Sequence, residues 1–487
     1  MDKGEPRPDF ALDRTLFGTG RVLGAINDTQ LVVAEINSRL YITLNSSYPL
    51  LDTVYGVIRG LGSSVSTLLD GVLNPLETLA PTDDSDEVEL FDDIEQAIES
   101  LRMFTTVQLV TANNDLRMAL GVFLPAQLED VFGRVGDGLQ ELNNALLALK
   151  TAITAILNFS SEESGECPPK PIRPKLVYRV VYAVRTLKAY LPAVTYTLTT
   201  TVENIAKADL FLVRLAEETE DVQDPDQYVD LVLATTNVVA SAVATTMLEV
   251  VGRLGSVTSS ISMLTNITSL MEYSQVEAVL SSFETVLMRI NAAEGMFNAS
   301  LVDIATELTS VLTPDADTPT VDNAEVVATL VTTLVAGGPY ARFCFYKYSE
   351  LLFGLANTGL IGVEQCISRE MMNLQQVRAL MQQQAALLLL DLNGYLEELA
   401  KCNRVPTASK RGNCVGEVVT YYMSIETSFG QILDNLYSTG AAGANGVKNR
   451  LAACVAVLEF TVGDEAASSL NAEILECAAN GPEVIEN

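Results

Sequence analysis

The sequence contains no histidine and no tryptophan among its 487 residues. Without histidine, the chain has no Ser–His or Cys–His nucleophile pair and no imidazole ligand for a metal ion. Without tryptophan, it lacks the side chain that most often anchors a protein interface. Most known active-site arrangements of hydrolases, oxidoreductases and metalloenzymes need these residues. We therefore expect a protein that is not an enzyme and holds no metal or cofactor.

Basic residues are also scarce. Thirty lysines and arginines stand against 62 aspartates and glutamates, which gives a formal net charge of −32. Phosphate backbones repel such a surface, so we do not expect nucleic acid as a partner. A hydrophobic content of 48% with only 19% charged residues is typical of an ordered globular chain.

A clear membrane segment is missing as well. Asp230 and Glu249 flank the most apolar stretch, which is rich in Thr, Ser and Ala and predicts a buried helix of a soluble protein rather than a membrane span. The start, MDKGEPRPDFALD, lacks the apolar central region of a signal peptide. We therefore expect either a protein that is not secreted or a mature secreted form with an added Met1.

Long helical periodicity is what the sequence does have. Apolar positions alternate in steps of four and three along three seams: Leu128–Ile156, Val180–Leu215 and Val229–Leu264. This spacing indicates helices packed against helices. Pro192, inside the second seam, predicts a kink or a break. No comparable period of two occurs, so we predict an all-α protein, an elongated antiparallel bundle of long helical hairpins.

Three acidic or proline-rich stretches interrupt the helical pattern: 80–93, 160–174 and 312–323. Three regions are predicted from these breaks: an N-terminal helical region 1–160, a middle helical region 161–318 and a C-terminal hairpin domain 319–487. A Gly/Ala-rich patch at 438–446 interrupts the last region.

Six of the seven cysteines lie between residues 344 and 477. Residues that face each other across an antiparallel hairpin have nearly constant index sums, and three nested pairs have sums of 816, 820 and 821: Cys402–Cys414, Cys366–Cys454 and Cys344–Cys477. We predict these three disulfides, with the Gly/Ala patch weakening the exact register between the arms. This pairing leaves out Cys167, for which three alternatives stay open: a buried free thiol, an intermolecular link or an exposed thiol.

Zinc binding or thiol redox chemistry would need cysteines at a short paired spacing such as CxxC, and none occurs. Structural disulfides are therefore favoured, and they indicate an oxidising compartment. The loop between Cys402 and Cys414 contains Lys410 and Arg411. Two readings of this dibasic pair stay open: a protease-sensitive hairpin tip and a plain solvated turn.

Five Asn-X-Ser/Thr triplets are candidate glycosylation sites: Asn27, Asn45, Asn158, Asn266 and Asn298. For each one, glycosylation and chance occurrence in a Ser/Thr-rich chain stay open, and it is mainly the cysteines that favour secretion. All of them precede residue 301, whereas the six clustered cysteines follow it. Together the triplets and the cysteines predict an extracellular location.

The C-terminal third resembles the TsetseEP domain family of secreted insect proteins over roughly residues 339–480. The resemblance rests on the six-cysteine order, the NC pair and an aromatic cluster: Cys344, Phe345, Tyr346, Tyr348, Asn413 and Cys414. The Glu-Pro repeat that gives the family its name is absent. The resemblance implies secretion in an insect, into gut or reproductive-tract fluid, without a defined molecular activity.

We predict a secreted, non-enzymatic structural or interaction protein of such a fluid or matrix, with self-association or protein partners. The alternative is an extracellular carrier that holds an apolar, lipid-type ligand in a cavity between helices. Broad Ala/Val/Leu faces such as LVLATTNVVASAVATTMLEVV and AALLLLDLNGYL motivate the carrier, although bundle core explains the same faces.

Overall fold

The structure is a computed structural model that describes most of the chain. The described residues are 9–12, 16–158, 171–223, 225–313 and 324–482. Their regular segments are helices, and no strand occurs within these ranges. The predicted all-α class is therefore confirmed. Cys167 lies outside the described residues.

The helices are numbered in chain order. The α-helices are α1 (Thr19–Ser38), α2 (Pro49–Leu79), α3 (Leu90–Met103), α4 (Leu109–Leu120), α5 (Phe123–Leu157), α6 (Pro174–Gln223), α7 (Pro225–Ser262), α8 (Thr265–Thr268), α9 (Tyr273–Leu287), α10 (Ile290–Leu312), α11 (Glu325–Ala336), α12 (Ala341–Asn403), α13 (Ala408–Leu458) and α14 (Ala467–Asn480). A 3₁₀ turn covers Ser85–Glu89, and π-helical segments cover Phe104–Gln108 and Glu459–Ala466.

The chain forms two compact units. Unit 1 comprises residues 1–218, 319–353 and 468–487, and unit 2 comprises residues 219–318 and 354–467. This division differs from the three predicted regions, which were separated at the breaks near residues 160 and 318. The changes of unit at 218 and 353 fall inside α6 and α12, where helical periodicity continues and no shift in composition marks them.

The first two predicted seams form the buried faces of α5 and α6. Every seam position of α5 before Ile156 is buried, and Ile156 itself is half-buried. Every seam position of α6 is buried. Helix α6 continues through Pro192, which is exposed, so the chain is not broken there. These seams bury apolar area along the full length of each helix, which is the main source of their stability.

The third seam lies on α7. Of its first four predicted positions, Thr236 is buried, whereas Val229, Leu233 and Ala240 are half-buried and the residue just before each of these three is buried instead. The predicted positions from Val243 to Ile261 are buried, but before them the deepest residues are Val232 and Val239. Such a drift is expected because a 3.6-residue helix does not keep a strict 3.5-residue repeat.

Two helical stretches, Asp226–Ser262 and Ala341–Asn403, are long and apolar enough to cross a membrane by length and composition alone. In their most apolar windows only 28% and 22% of the residues are buried. The helix around Val229–Val251 is therefore less buried than the sequence predicts. The absence of a membrane span stays a prediction.

All three predicted cysteine pairs are present: Cys344–Cys477, Cys366–Cys454 and Cys402–Cys414, with Cα–Cα distances of 5.9, 5.9 and 5.6 Å. The first pair lies in unit 1 and the other two lie in unit 2. The predicted nesting is therefore confirmed, with α12 and α13 as the antiparallel arms in unit 2.

Contacts between these arms keep the predicted register near the outer of the two unit 2 bridges. Arg450 Nε donates to the buried carboxylate of Glu370 at 2.9 Å, with an index sum of 820. Near the hairpin tip, the rings of Tyr395 and Tyr422 lie 4.7 Å apart, with a sum of 817. Between the bridges α13 has 40 residues where α12 has 36, a difference of about one helical turn.

The Gly/Ala patch at 438–446 does not interrupt the last region, contrary to the sequence prediction, because it is helical within α13. Two of its glycines face α12 closely. A β-carbon at Gly440 would lie 2.6 Å from Met381 Sδ, and one at Gly443 would lie 2.7 Å from Val377 Cγ2. Glycine at these positions lets the arms approach each other at the distance that the disulfides require.

A similar adjustment occurs between the outer bridges. Twenty-two residues separate Cys344 from Cys366, and 23 separate Cys454 from Cys477. The π-helical segment Glu459–Ala466 lies on the longer arm. Because a π turn holds one residue more than an α turn, it accounts for the additional residue.

Candidate functional site: an apolar groove with an acidic rim

Unit 2 contains an open groove between α7 on one side and α9 with the start of α10 on the other. Its volume is about 1060 Å³, and we call it the α7–α9 groove. Helix α10 packs on both α13 and α7, whereas the shorter α9 packs more on α13 than on α7. The groove therefore opens where α9 leaves one face of α7 uncovered.

Along α7, the wall changes from apolar side chains to side chains that carry hydroxyl groups. It consists of Ala244, Met247, Leu248, Val251, Leu254, Gly255, Thr258, Ser259 and Ser262. Met247 and Leu254 are buried at the floor, while Leu248 is 70% exposed and Val251 is 44% exposed. Apolar side chains that share one exposed face form a surface suited to an apolar molecule.

The opposite wall combines an apolar floor with a charged rim. It consists of Tyr273, Glu277, Leu280, Ser281, Glu284, Leu287, Met288, Ile290, Asn291 and Glu294. Leu280, Leu287 and Ile290 are buried, and Met288 is 70% exposed. The floor of the groove is thus apolar on both sides.

The rim is acidic along its whole length. Glu277 and Glu284 are exposed and stand seven residues apart, so they share one face of α9. Glu294 follows on α10 and is half-buried. Among the residues that line the groove there is no lysine or arginine. Two arginines adjoin lining residues in sequence, and both have partners outside the lining of the groove. Arg253 Nε donates to Asn393 Oδ1 on α12, and the Arg289 guanidinium lies 4.0 Å from Asp434 on α13.

Three hydroxyl groups at the end of α7 have their hydrogen atoms engaged. Thr258 Oγ1 donates to the Leu254 carbonyl at 2.9 Å, and Ser259 Oγ donates to the Gly255 carbonyl at 2.9 Å. Ser262 Oγ donates to the Ser259 carbonyl at 2.8 Å. Each hydroxyl oxygen keeps lone pairs, so this end of the α7 wall offers acceptors.

The pKa values of two tyrosines are raised partly by the carboxylates of the acidic rim. Burial raises the pKa of Tyr273, and the negative charge of Glu277 raises it further, so the phenol stays neutral at physiological pH. Burial also raises the pKa of Tyr437 on α13, and Glu294 adds to this effect. The Tyr437 hydroxyl is buried and has no hydrogen-bond partner within the described part of the chain.

The structure distinguishes among the predicted glycosylation sites. Asn45 is exposed in the segment between α1 and α2, where buried Asp209 accepts hydrogen bonds from the backbone N–H groups of Asn45 and Ser46 at 2.8–3.0 Å. This anchoring leaves the Asn45 side chain free for modification. Asn27 is exposed on α1, but the hydroxyl of Thr29 in the same triplet is buried and donates to the Ala25 carbonyl at 2.7 Å.

The remaining triplets are less available. Asn266 Nδ2, the atom to which a glycan would attach, donates to the Asn403 carbonyl at 3.1 Å. Asn298 is half-buried on α10, and its side-chain oxygen is buried without a described partner. Asn158 is exposed at the end of α5, but residues 159 and 160 of its triplet lie outside the described residues. Glycosylation at any of the five stays a prediction.

Lys410 and Arg411 do not lie in a loop, which corrects the sequence prediction. Helix α12 ends at Asn403 and α13 begins at Ala408, so the pair lies in the first turn of α13. Arg411 Nε and one terminal nitrogen donate to the Val405 carbonyl at 3.0 and 2.8 Å, so its guanidinium ties the turn to the helix start.

Within the described residues, no group of three or more Cys, Asp or Glu side chains is placed to hold a metal ion. The spacing of Glu277 and Glu284 on an otherwise uncharged helix could have indicated an acidic rim from sequence alone. The groove itself could not have been predicted, because it depends on how far α9 stands from α7.

No family model matches this chain, and no curated protein matches it either. The resemblance to the TsetseEP family therefore stays a prediction. The groove and its surroundings are the features of the described residues that bear most directly on function.

Proposed function

We propose that this is a secreted, non-enzymatic protein that carries an apolar small molecule in the α7–α9 groove. The observation that carries the proposal is the groove volume of about 1060 Å³ over an apolar floor. Sites for small molecules usually have volumes of about 300–1,000 Å³ and mostly apolar walls. The α7 wall runs from Ala244 to Ser262, 19 residues that extend over about 27 Å, whereas one lipid tail spans half of a bilayer core, or about 15 Å.

Secretion is supported by the disulfides. The three intramolecular bridges among the described residues fit an oxidising compartment, since cytosolic thiols are kept reduced. An insect gut or reproductive-tract fluid, which the family resemblance implies, is such a compartment. The exposed Asn45 triplet also fits a glycoprotein of this kind.

The proposal is tested with two glycine variants on α7. Gly255 lines the groove, Gly252 does not, and a β-carbon at either position meets no atom within 4 Å. Gly255→Leu should fill the groove and abolish binding of the neutral fluorescent probe N-phenyl-1-naphthylamine, while Gly252→Leu should bind it like the wild type. Equal binding by both variants, or no binding by the wild type, would refute a carrier function of this groove.

A second function, self-association as a structural or interaction protein, is favoured by one exposed face of α12. This face carries no charge over about five turns: Met372, Gln376, Leu380, Gln383, Leu387 and Leu390. Its apolar members are 43–66% exposed. On a chain with a net charge of −32, an uncharged helix face is where two copies would repel each other least.

Sedimentation of the wild type and of Leu387→Glu tests self-association. A wild-type dimer that the variant converts to a monomer supports it.

A further inference from the structure

We propose that the ligand of the α7–α9 groove is a cationic amphiphile, a long-chain amine in its protonated form, with its head group at the end of the groove where Tyr273 and Glu277 lie. This inference rests on the proposed carrier function and specifies the chemistry of its ligand. It is argued from the hydrogen-bonding capacity and the charge of the groove walls.

The two ends of the groove differ in polarity. Helix α7 ends at Ser262 and α9 begins at Tyr273, so a short connection brings the hydroxylated end of α7 next to the start of α9. Thr258, Ser259 and Ser262 therefore share one end of the groove with Tyr273 and Glu277. An amphiphile would place its polar head at this end and its chain along Val251, Leu248 and Met288.

The side chains at this polar end offer more hydrogen-bond acceptors than free donors. The three hydroxyl hydrogens are engaged with backbone carbonyls of α7, at 2.8–2.9 Å. The Glu277 carboxylate is an acceptor only. The Tyr273 phenol is the one remaining side-chain donor among the lining residues of this end. A protonated amine brings three donors and no acceptor, which complements such a site, whereas a carboxylate head needs donors that the walls do not supply.

The charge of the groove walls also favours a protonated amine as the ligand. The lining residues include three carboxylates and no cation. A fatty-acid head would lie beside Glu277 without a neutralising lysine or arginine, while an ammonium head would form a charge-assisted hydrogen bond there. The aromatic face of Tyr273, four residues before Glu277 and on the same side of α9, adds a cation–π surface.

The test compares three ligands with the same chain, dodecylamine, dodecanol and dodecanoate, by displacement of N-phenyl-1-naphthylamine from the full-length protein. We expect dodecylamine to bind about tenfold more tightly than dodecanol, and dodecanoate to bind most weakly. Salt should reduce the preference for the amine.

Glu277→Gln should lower the affinity for dodecylamine about fivefold and leave that for dodecanol unchanged, as expected for one partly exposed ion pair. Glu284→Gln, two turns along the groove, should have a smaller effect. Glu417→Gln, an exposed change on α13 outside the groove, controls for the net charge of the chain and should have none.

Each result separates the two proposals. Binding of dodecanoate as tight as that of dodecylamine would refute the cationic ligand while leaving an apolar carrier intact. An equal loss in Glu277→Gln and Glu417→Gln would refute the placement of the head group, because total charge would then explain the preference. If none of the three ligands displaces the probe, the carrier function itself is refuted.

Discussion

Units 1 and 2 contain long helices with the same apolar seam, but they differ in what lies beside the seam. In unit 1, α5 and α6 bury their seams. In unit 2, α7 also buries its seam from Val243 to Ile261, but α7 has 38 residues and α9 has only 15. Apolar residues beside the seam, such as Leu248 at 70% exposure and Val251 at 44%, are therefore left uncovered and form the groove wall.

Unit 2 contains four tyrosines whose pKa is raised: Tyr273, Tyr395, Tyr422 and Tyr437. Tyr395 packs between Phe283 and Tyr422, with ring centroids 6.2 and 4.7 Å away. Unit 2 therefore buries phenol groups that can ionise, and its stability should respond to alkaline pH.

The largest effect expected within unit 2 comes from its disulfides. Replacing Cys366 and Cys454 by alanine should destabilise the protein by about 4.5 kcal/mol, against about 3 kcal/mol for Cys402 and Cys414, because the bridges close loops of very different length. The sequence separations are 88 and 12 residues. Urea unfolding followed by circular dichroism measures both. The reverse order would show that strain or residual structure, not loop length, sets their contributions.

Alkaline pH should lower the stability of unit 2. Burial is the main cause of the raised pKa of Tyr395, Tyr422 and Tyr437, and the value for Tyr422 is about 12 against an ordinary 10.0. Between pH 10 and pH 12 the unfolded chain loses these protons while the folded one keeps them, so stability is complete below pH 10 and falls as pH rises. The loss is roughly 1 kcal/mol for each tyrosine by pH 11, or a few kcal/mol together.

The measurement is a urea titration at pH 8 and at pH 11, with probe binding to the groove as the readout for unit 2. Tyr422→Phe should reduce the pH dependence by about one third. An unchanged urea midpoint at pH 11 would contradict the assignment of these phenols to a protonated core.

A smaller effect is expected where the arms of the hairpin touch. Gly443→Ala should destabilise unit 2 by about 2 kcal/mol, because its new methyl group would meet the stiff side chain of Val377. Gly416→Ala, also in α13 but with no atom within 4 Å, should instead stabilise the helix by up to about 1 kcal/mol. Thermal unfolding of the two variants compares them directly, and equal shifts would show that the close approach is relieved by movement of the arms.

The smallest effects concern single hydroxyl groups in unit 2. Tyr395 donates to the Val276 carbonyl at 3.2 Å, so Tyr395→Phe should cost about 1 kcal/mol. The Tyr437 hydroxyl is buried without a described partner, so Tyr437→Phe should be neutral or stabilise by about 1 kcal/mol. The sign of the difference is the prediction, and a larger loss from Tyr437→Phe would show that its hydroxyl does have a partner.

Sequence reasoning was most successful where one local rule decides the structure. Index sums identified the cysteine pairs because an antiparallel hairpin fixes them, and seam positions in α5 and α6 were buried because periodicity fixes the face. It failed where two segments compete for the same space. Glycines in 438–446 resemble a break but serve close packing, and Lys410–Arg411 resembles a loop but starts a helix.

The groove is a feature that no local rule of the sequence predicts. Its floor residues, such as Leu254 and Leu287, follow the same rules as core residues, so no local pattern marks them. Only the distance between two helices makes them part of a site. The acidic rim at Glu277 and Glu284 is readable in the sequence, but its meaning depends on the apolar floor beneath it.

The unequal arms of the hairpin limit how this chain could change by insertion or deletion. Each residue added to an α-helix turns everything after it by about 100°, so one extra residue between Cys414 and Cys454 would aim a thiol away from its partner. Four extra residues nearly restore the direction, and a π segment such as Glu459–Ala466 absorbs one. Homologous chains with the same bridges should therefore differ in arm length by about a whole turn, or by a single residue accompanied by a widened turn.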